Sequence, residues 1–164
     1  MLALQAISAV EFFKADLSKL IPTLLSVIAD DKREGVLHLR ELSINILSNL
    51  TNAHRENQKL FRRAGGIEIL LVNMQFKDVD HSGNAITFIS SVLDCLANAV
   101  FGNKRCELHF LDVDGVYVLL DLIENCEYTI KRLAVSCLCT ILENTKSFQS
   151  FVEWNSKKTS INAT

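Results

Sequence analysis

Apolar residues recur at the spacing of an amphipathic α-helix in three long stretches of the chain. Within each stretch, leucine, isoleucine, valine, alanine and cysteine stand three and four positions apart, which places them on one side of a helix. The pattern predicts long helices at roughly 34–51, 84–100 and 128–142. A shorter helix is predicted after each long one, at 54–63, 103–111 and 146–154. After Gly66 and after Gly115, a third helix is predicted, at 67–75 and 116–124.

The first 30 residues predict the end of an earlier unit of the same kind. A short helix is expected near 2–13, followed by a helical run in LSKLIPTLLSVIA. Pro22 lies in that run. Proline is compatible with the first turn of a helix or with a kink, so the start of this helix stays open.

The chain repeats itself at a fixed spacing. A shift of 49 residues aligns LSNLTNAHRENQKLFRRAGGIEILL with LANAVFGNKRCELHFLDVDGVYVLL and pairs Phe61 with Phe110. A further shift of 42 residues aligns the second copy with LCTILENTKSFQSFVEW, and the difference of seven fits an insertion within 76–83. A period in the forties is typical of armadillo and HEAT repeats.

The repeat predicts an all-α, right-handed superhelical solenoid of the armadillo or HEAT type with about three repeats. It would form a single domain over residues 1–164. The units are expected at roughly 1–51, 52–100 and 101–144, with a partial unit at 145–164.

A row of polar residues follows one face of the three long helices. Its members stand four residues apart in each helix and occupy equivalent positions in the three copies: Glu41, Asn45, Asn49, Ser90, Asp94, Asn98, Arg132, Ser136 and Thr140. In a stack of such units, equivalent helices line a concave surface, where an asparagine amide can bind the backbone of an extended peptide. Two interpretations stay open: a solvated face, or a partner-binding groove.

The segment around His54 offers a second hypothesis, an active site that ends in a phosphate-binding glycine turn. His54 and Glu56 are two residues apart, about 200° around a helix, and so do not face each other. No strand pattern precedes Gly66, as a phosphate loop would require. Gly66 and Gly115 are expected instead to turn the chain, through positive φ or close approach of two helices.

Composition narrows the function classes further. With 49% hydrophobic residues, one proline and six glycines, the chain can bury a core and favours helices. A net charge of −2 argues against nucleic-acid binding. Five cysteines without metal-ligand spacing predict free thiols in a reducing compartment and no metal or cofactor. The N-terminal apolar run is too short to span a membrane, so a cytoplasmic protein that does not bind a membrane is expected. A small-molecule substrate is not expected either.

The pattern LSNL…N…F…AGGI…LL resembles the armadillo repeat, whose third helix ends in such an asparagine-bearing motif. In nuclear-import adaptors and catenins, a tryptophan four residues before that asparagine helps to clamp peptide side chains. The equivalent positions here hold Asn45, Asp94 and Ser136. The missing aromatic walls count against a receptor for nuclear localisation signals.

Residues 86–164 resemble more specifically the last armadillo units of the cilia- and flagella-associated protein sixty-nine family. The resemblance rests on Leu93-Asp94, on FLDVDGVYVLLDLI at 110–123 and on the closing segment 152–159 with Trp154. It implies a non-enzymatic scaffold in the axoneme of motile cilia or flagella, with proteins of the central-pair apparatus as partners. The alternative is a cytosolic armadillo adaptor that binds extended peptide segments.

Overall fold

The computed structural model describes residues 1–29, 37–75 and 83–154, and every regular element in these ranges is helical. The all-α prediction is confirmed. Two 3₁₀ turns, Glu11–Phe13 and Asp16–Leu20, lie between the first two α-helices. The α-helices are α1 (Leu2–Ser8), α2 (Ile21–Ala29), α3 (Leu37–Thr51), α4 (Arg55–Arg63), α5 (Gly66–Met74), α6 (Gly83–Val100), α7 (Lys104–Asp112), α8 (Gly115–Asn125), α9 (Tyr128–Leu142) and α10 (Ser147–Glu153).

The long helices α3, α6 and α9 pack side by side and connect the successive repeats of the stack. Helix α6 packs against both α3 and α9, so equivalent helices of successive repeats are neighbours. Their apolar sides belong to one buried cluster that extends along the chain from Ile21 to Ile141. The predicted bounds of α9, 128–142, agree with the structure. Most of the predicted insertion at 76–83, and the pair Lys157-Lys158, lie outside the described residues.

The predicted helix at 2–13 is wrong in its second half, because α1 ends at Ser8. The Ser8 hydroxyl donates to the carbonyl of Gln5 at 2.7 Å and is buried, and Val10 then adopts an extended conformation. Residues 11–13 form a 3₁₀ turn whose Phe12 is largely exposed. Pro22 lies in the first turn of α2, which is one of the two places left open for it.

Two of the three short helices begin with a side-chain cap. His54 Nδ1 accepts a hydrogen bond from the backbone N–H of Asn57 at 3.2 Å, and Asn103 Oδ1 accepts from Arg105 N–H at 3.3 Å. Such caps satisfy backbone donors that the first turn leaves without partners. The third copy differs, because Lys146 precedes α10 without capping it through its side chain.

Gly66 and Gly115 are the first residues of α5 and α8, and a phenylalanine ring covers each of them. A Cβ added at Gly66 would lie 2.6 Å from the Phe61 ring, and one at Gly115 would lie 2.2 Å from the Phe110 ring. The left-handed backbone occurs one residue earlier, at Gly65 (φ 75°) and Asp114 (φ 62°). Close approach is therefore the property of glycine that positions 66 and 115 use.

Gly115→Ala is expected to lower the free energy of unfolding by about 1–3 kcal/mol, because the new methyl group overlaps the buried Phe110 ring. Urea unfolding followed by circular dichroism measures the loss. In a Phe110→Ala background the same alanine should cost clearly less, since the ring it meets is gone. An equal cost in both backgrounds would contradict the assigned contact.

Candidate protein-binding surface

The nine polar residues predicted on one face of the long helices, here called the polar row, all keep exposed surface. Asp94, Arg132, Ser136 and Thr140 are exposed, and the other five are partly exposed. Residues between them along the same helices, such as Leu47, Leu96 and Cys137, are buried. Since α6 packs against α3 and α9, the row crosses three neighbouring helices of the stack.

Two asparagines of the polar row tie successive repeats together. The Asn49 amide donates to the Gln5 carbonyl at 3.2 Å and to the Ser8 hydroxyl at 3.1 Å, which connects α3 to α1. The Asn98 amide donates to the Ser48 hydroxyl at 2.8 Å, which connects α6 to α3. These two side chains therefore hold the repeats in register, whatever else they bind.

Some other members of the polar row form hydrogen bonds within their own helices, and Asn45 forms no side-chain hydrogen bond to the described residues. The hydroxyls of Ser90 and Thr140 donate to carbonyls of their own helices, at 2.9 Å to Ile86 and 3.1 Å to Ser136. Asn45 makes no side-chain hydrogen bond to the part of the chain that the structure describes. Its partly exposed amide keeps its donors and acceptor for water or a ligand.

Asp94 lies in the middle of the row, in an environment that disfavours its charge. Desolvation by the surrounding residues raises the pKa of its carboxyl above the ordinary value. Burial, followed by the charge of Asp94, raises the pKa of the Cys137 thiol to about 12 and also raises that of Cys95. The cysteines beside the row are therefore protonated thiols at neutral pH.

Asp94→Asn is expected to raise the free energy of unfolding at pH 7 by about 0.5 kcal/mol or less, because the group is largely solvated. The raised pKa means that the ionised form costs stability above that pKa. The gain should shrink as the pH falls through the raised pKa and vanish below the ordinary value of 3.8, where the wild-type carboxyl is protonated in both states. Urea unfolding at pH 7 and pH 3 tests this, and a gain that does not change with pH would contradict it.

A cavity beside Asn98 of the row lies at the corner where α3 meets α4 and α6 meets α7. It encloses about 320 Å³ and is lined by Asn98 together with Asn52, Ala53, Arg55, Gln58, Ala97, Phe101 and Gly102. The floor is fixed, because the Gln58 side chain donates to the Asn98 carbonyl at 2.9 Å. A partner that contacts Asn98 therefore meets a recess at this corner.

The residues of the active-site hypothesis do not come together in one cleft. Glu56 and Cys106 line the same cavity, but His54 is not among its lining residues. Burial raises the pKa of the Cys106 thiol, although the nearby Arg62 acts in the opposite direction. The Nδ1 atom of His54 caps the N-terminus of α4 by accepting a hydrogen bond from the Asn57 N–H. The predicted role of His54 as the start of a helix is confirmed.

All five cysteines are free thiols, and Cys95, Cys106 and Cys137 are buried. Within the ranges 1–29, 37–75 and 83–154, no three His, Cys, Asp or Glu side chains gather as metal ligands would. None of the helices in these ranges combines the length and the apolar character that a membrane crossing requires.

The sequence pattern missed the polar residues that hold the corners of the repeats. Asn57 is buried, and its amide donates to the carbonyls of Lys14 at 3.0 Å and Leu50 at 2.8 Å. Gln58 accepts from the Asn103 amide at 2.9 Å across the next corner. A detectable signal was the placement of two amides at core positions of α4 beside Phe61, where apolar residues are expected.

Residues 12–164 match the sequence model of a known family, described as the ARM repeat of cilia- and flagella-associated protein 69. A search of curated proteins returned no significant match. The match covers all of the helices from α2 to α10 and most of the chain. It confirms the armadillo-type solenoid predicted from the repeat, and the family resemblance of the C-terminal units.

Proposed function

Because the chain belongs to the armadillo-repeat family of cilia- and flagella-associated protein 69, we propose that it is a protein-interaction scaffold of the motile cilium or flagellum. Its partners would be proteins of the axonemal central-pair apparatus, bound without catalysis. Armadillo stacks present extended surfaces to other proteins, which is the general basis of this proposal.

The observation that carries the proposal is the polar row. Nine equivalent positions on three neighbouring helices are all polar and all keep exposed surface, although the helices around them are apolar. Asn45 has an amide without hydrogen bonds to the described residues, and Asp94 keeps a charge that its surroundings disfavour. Binding of a partner would account for both features.

Proximity labelling in ciliated cells tests the assignment to the cilium. The tagged chain is expected to label central-pair proteins of the axoneme, and the label should coincide with the axoneme in microscopy. A tagged Asn45→Arg, Asp94→Arg variant should fold and lose that set, because arginine blocks the row without touching a buried contact. Labelling of cytoplasmic proteins alone by the wild type would contradict the proposal.

The second candidate function is a cytosolic adaptor for extended peptides. The recess of about 320 Å³ beside Asn98 favours it, because a side chain of a bound peptide would fit there. The same labelling experiment separates the two candidates, since an adaptor would label soluble proteins throughout the cytoplasm and leave the axoneme unlabelled.

A further inference from the structure

A second cavity adjoins the recess beside Asn98, with which it shares Arg55 and Gly102, and five of its nine lining residues are basic. It encloses about 410 Å³ between α4 and the start of α7. We call it the basic groove, and its cationic residues are Arg55, Lys59, Arg62, Lys104 and Arg105. Glu56 is the single acidic residue in its lining, and Lys59 pairs with it at 3.0 Å. The lining therefore carries five positive charges against one negative charge, in a chain whose net charge is −2.

Three of these cations lie at helix N-termini, where a positive charge does not stabilise the helix. Arg55 is the first residue of α4, and Lys104 and Arg105 are the first two residues of α7. A helix N-terminus carries a partial positive charge, so cations there are unfavourable and acidic residues would stabilise the helix. The two helix ends and the three side chains therefore reinforce one positive field at the groove.

The inner wall of the groove holds a guanidinium group whose hydrogen-bonding capacity is not fully used. Arg62 Nε is buried and has no hydrogen-bond partner among the described residues. The same side chain lies beside the buried Cys106 thiol at the bottom of the groove. The guanidinium of Arg62 adds its positive charge to the groove, although its buried Nε is not itself accessible to a ligand.

The two sides of the groove are held rigidly together. The Asn103 amide donates to Gln58 Oε1 at 2.9 Å, and the Cys106 thiol donates to the Gln58 carbonyl at 3.7 Å. These contacts join α4 and α7 directly below the cationic residues. A ligand would thus bind a preformed site, and little free energy would be lost in ordering these side chains.

We propose that the basic groove binds an acidic, glutamate- or aspartate-rich segment of a partner protein. Charge complementarity supports an anionic ligand, because the groove concentrates positive charge that its own carboxylates do not neutralise. A protein segment fits better than a nucleic acid. The lining residues include no aromatic ring on which a base could stack. The groove contains no residue of the polar row, although Arg55 and Gly102 also line the recess beside Asn98, and the binding of an acidic peptide does not depend on the row.

Fluorescence anisotropy with a labelled deca-glutamate peptide tests the proposal. The groove variant is Arg55→Glu with Lys104→Glu, and it should bind the peptide about tenfold more weakly than the wild type at low salt. Both substitutions place a carboxylate at a helix N-terminus, so the thermal midpoint should stay the same or rise. Loss of binding in this variant therefore cannot be attributed to unfolding.

The matched control is Lys19→Glu with Lys131→Glu, which changes the net charge equally but lies outside the groove. It should bind deca-glutamate with nearly wild-type affinity. Wild-type binding should also weaken as salt rises, and a deca-thymidylate oligonucleotide should compete poorly. Absence of deca-glutamate binding, equal weakening in both variants, or equally tight binding of the oligonucleotide would each overturn the proposal.

Discussion

Phe110→Ala is expected to lower the free energy of unfolding by about 3–5 kcal/mol, the largest loss at any single position considered. The Phe110 ring is fully buried, covers Gly115 and meets the Phe101 ring edge to face, with centroids 6.3 Å apart. Its removal leaves a cavity between α7 and α8 that the glycine contact cannot fill. Urea unfolding monitored by circular dichroism at 222 nm measures the loss.

The last repeat provides the matched control for this prediction. Phe148 lies on the short helix α10, where its side chain is 58% exposed. Phe148→Ala removes the same atoms from a largely solvated position and should cost less than about 1 kcal/mol. If both variants lose the same stability, Phe110 is not the core residue of its repeat. Phe110→Leu, which keeps most of the buried volume, should lie between wild type and Phe110→Ala.

Asn57→Ala is expected to cost about 2–4 kcal/mol, because it leaves two buried carbonyls without a donor. The Asn57 amide joins the segment containing Lys14 to the end of α3 at Leu50, and the Lys14 ammonium adds a bond to the Asn52 carbonyl at 2.7 Å. Without it, the 3₁₀ turns before α2 should be held to the first corner more weakly, since only the bond from Lys14 to the Asn52 carbonyl remains of these contacts. Denaturant unfolding measures the total loss, and amide hydrogen exchange should show faster exchange in residues 11–20.

Asn52→Ala is the control for this second prediction. Asn52 lies in the same corner, but its side chain is exposed and makes no hydrogen bond to the described residues. Its removal should change stability by less than about 0.5 kcal/mol. A comparable loss from Asn52→Ala and Asn57→Ala would mean that the corner is sensitive to any substitution, and that the buried amide has no special role.

The helices and their order could be predicted because helical periodicity and an internal repeat are local properties of the sequence. The alignment of two copies also identified Phe61 and Phe110 as equivalent core residues and paired Gly66 with Gly115. It could not show that each glycine lies under the ring of its own repeat. The contact between the glycine and the ring forms when the chain turns back onto the short helix. An alignment pairs equivalent residues of two repeats, and it does not show which residues of one repeat touch each other.

The same reason explains why the basic groove escaped prediction. Arg62 aligns with Leu111 and Glu56 with Arg105, so comparing repeats position by position suggests no shared anion site. The groove forms between repeats, where Arg62 of α4 lies near Cys106 of α7. Cationic residues more than 40 positions apart in sequence become neighbours only when one repeat stacks on the next.

The structure also changes which polar-row residues are useful for testing function. Asn49 and Asn98 match the asparagine of the armadillo motif, but their amides bind the preceding repeat. Replacing them would disturb packing and binding together. Asn45, Asp94 and Ser136 stand one turn earlier, and among the described residues no side-chain hydrogen bond joins them to another repeat. They report on the surface without changing the register of the stack.

Site-specific photo-crosslinking tests most directly whether the polar row binds partner proteins. A benzophenone amino acid placed at Asn45, Asp94 or Ser136 of the full chain would be activated in ciliated cells, with Val72 as an exposed control position on α5. We expect crosslinks to axonemal proteins from the three row positions and none to those proteins from Val72. Crosslinks from Val72 to those proteins, with none from the row, would show that the partner docks on another face.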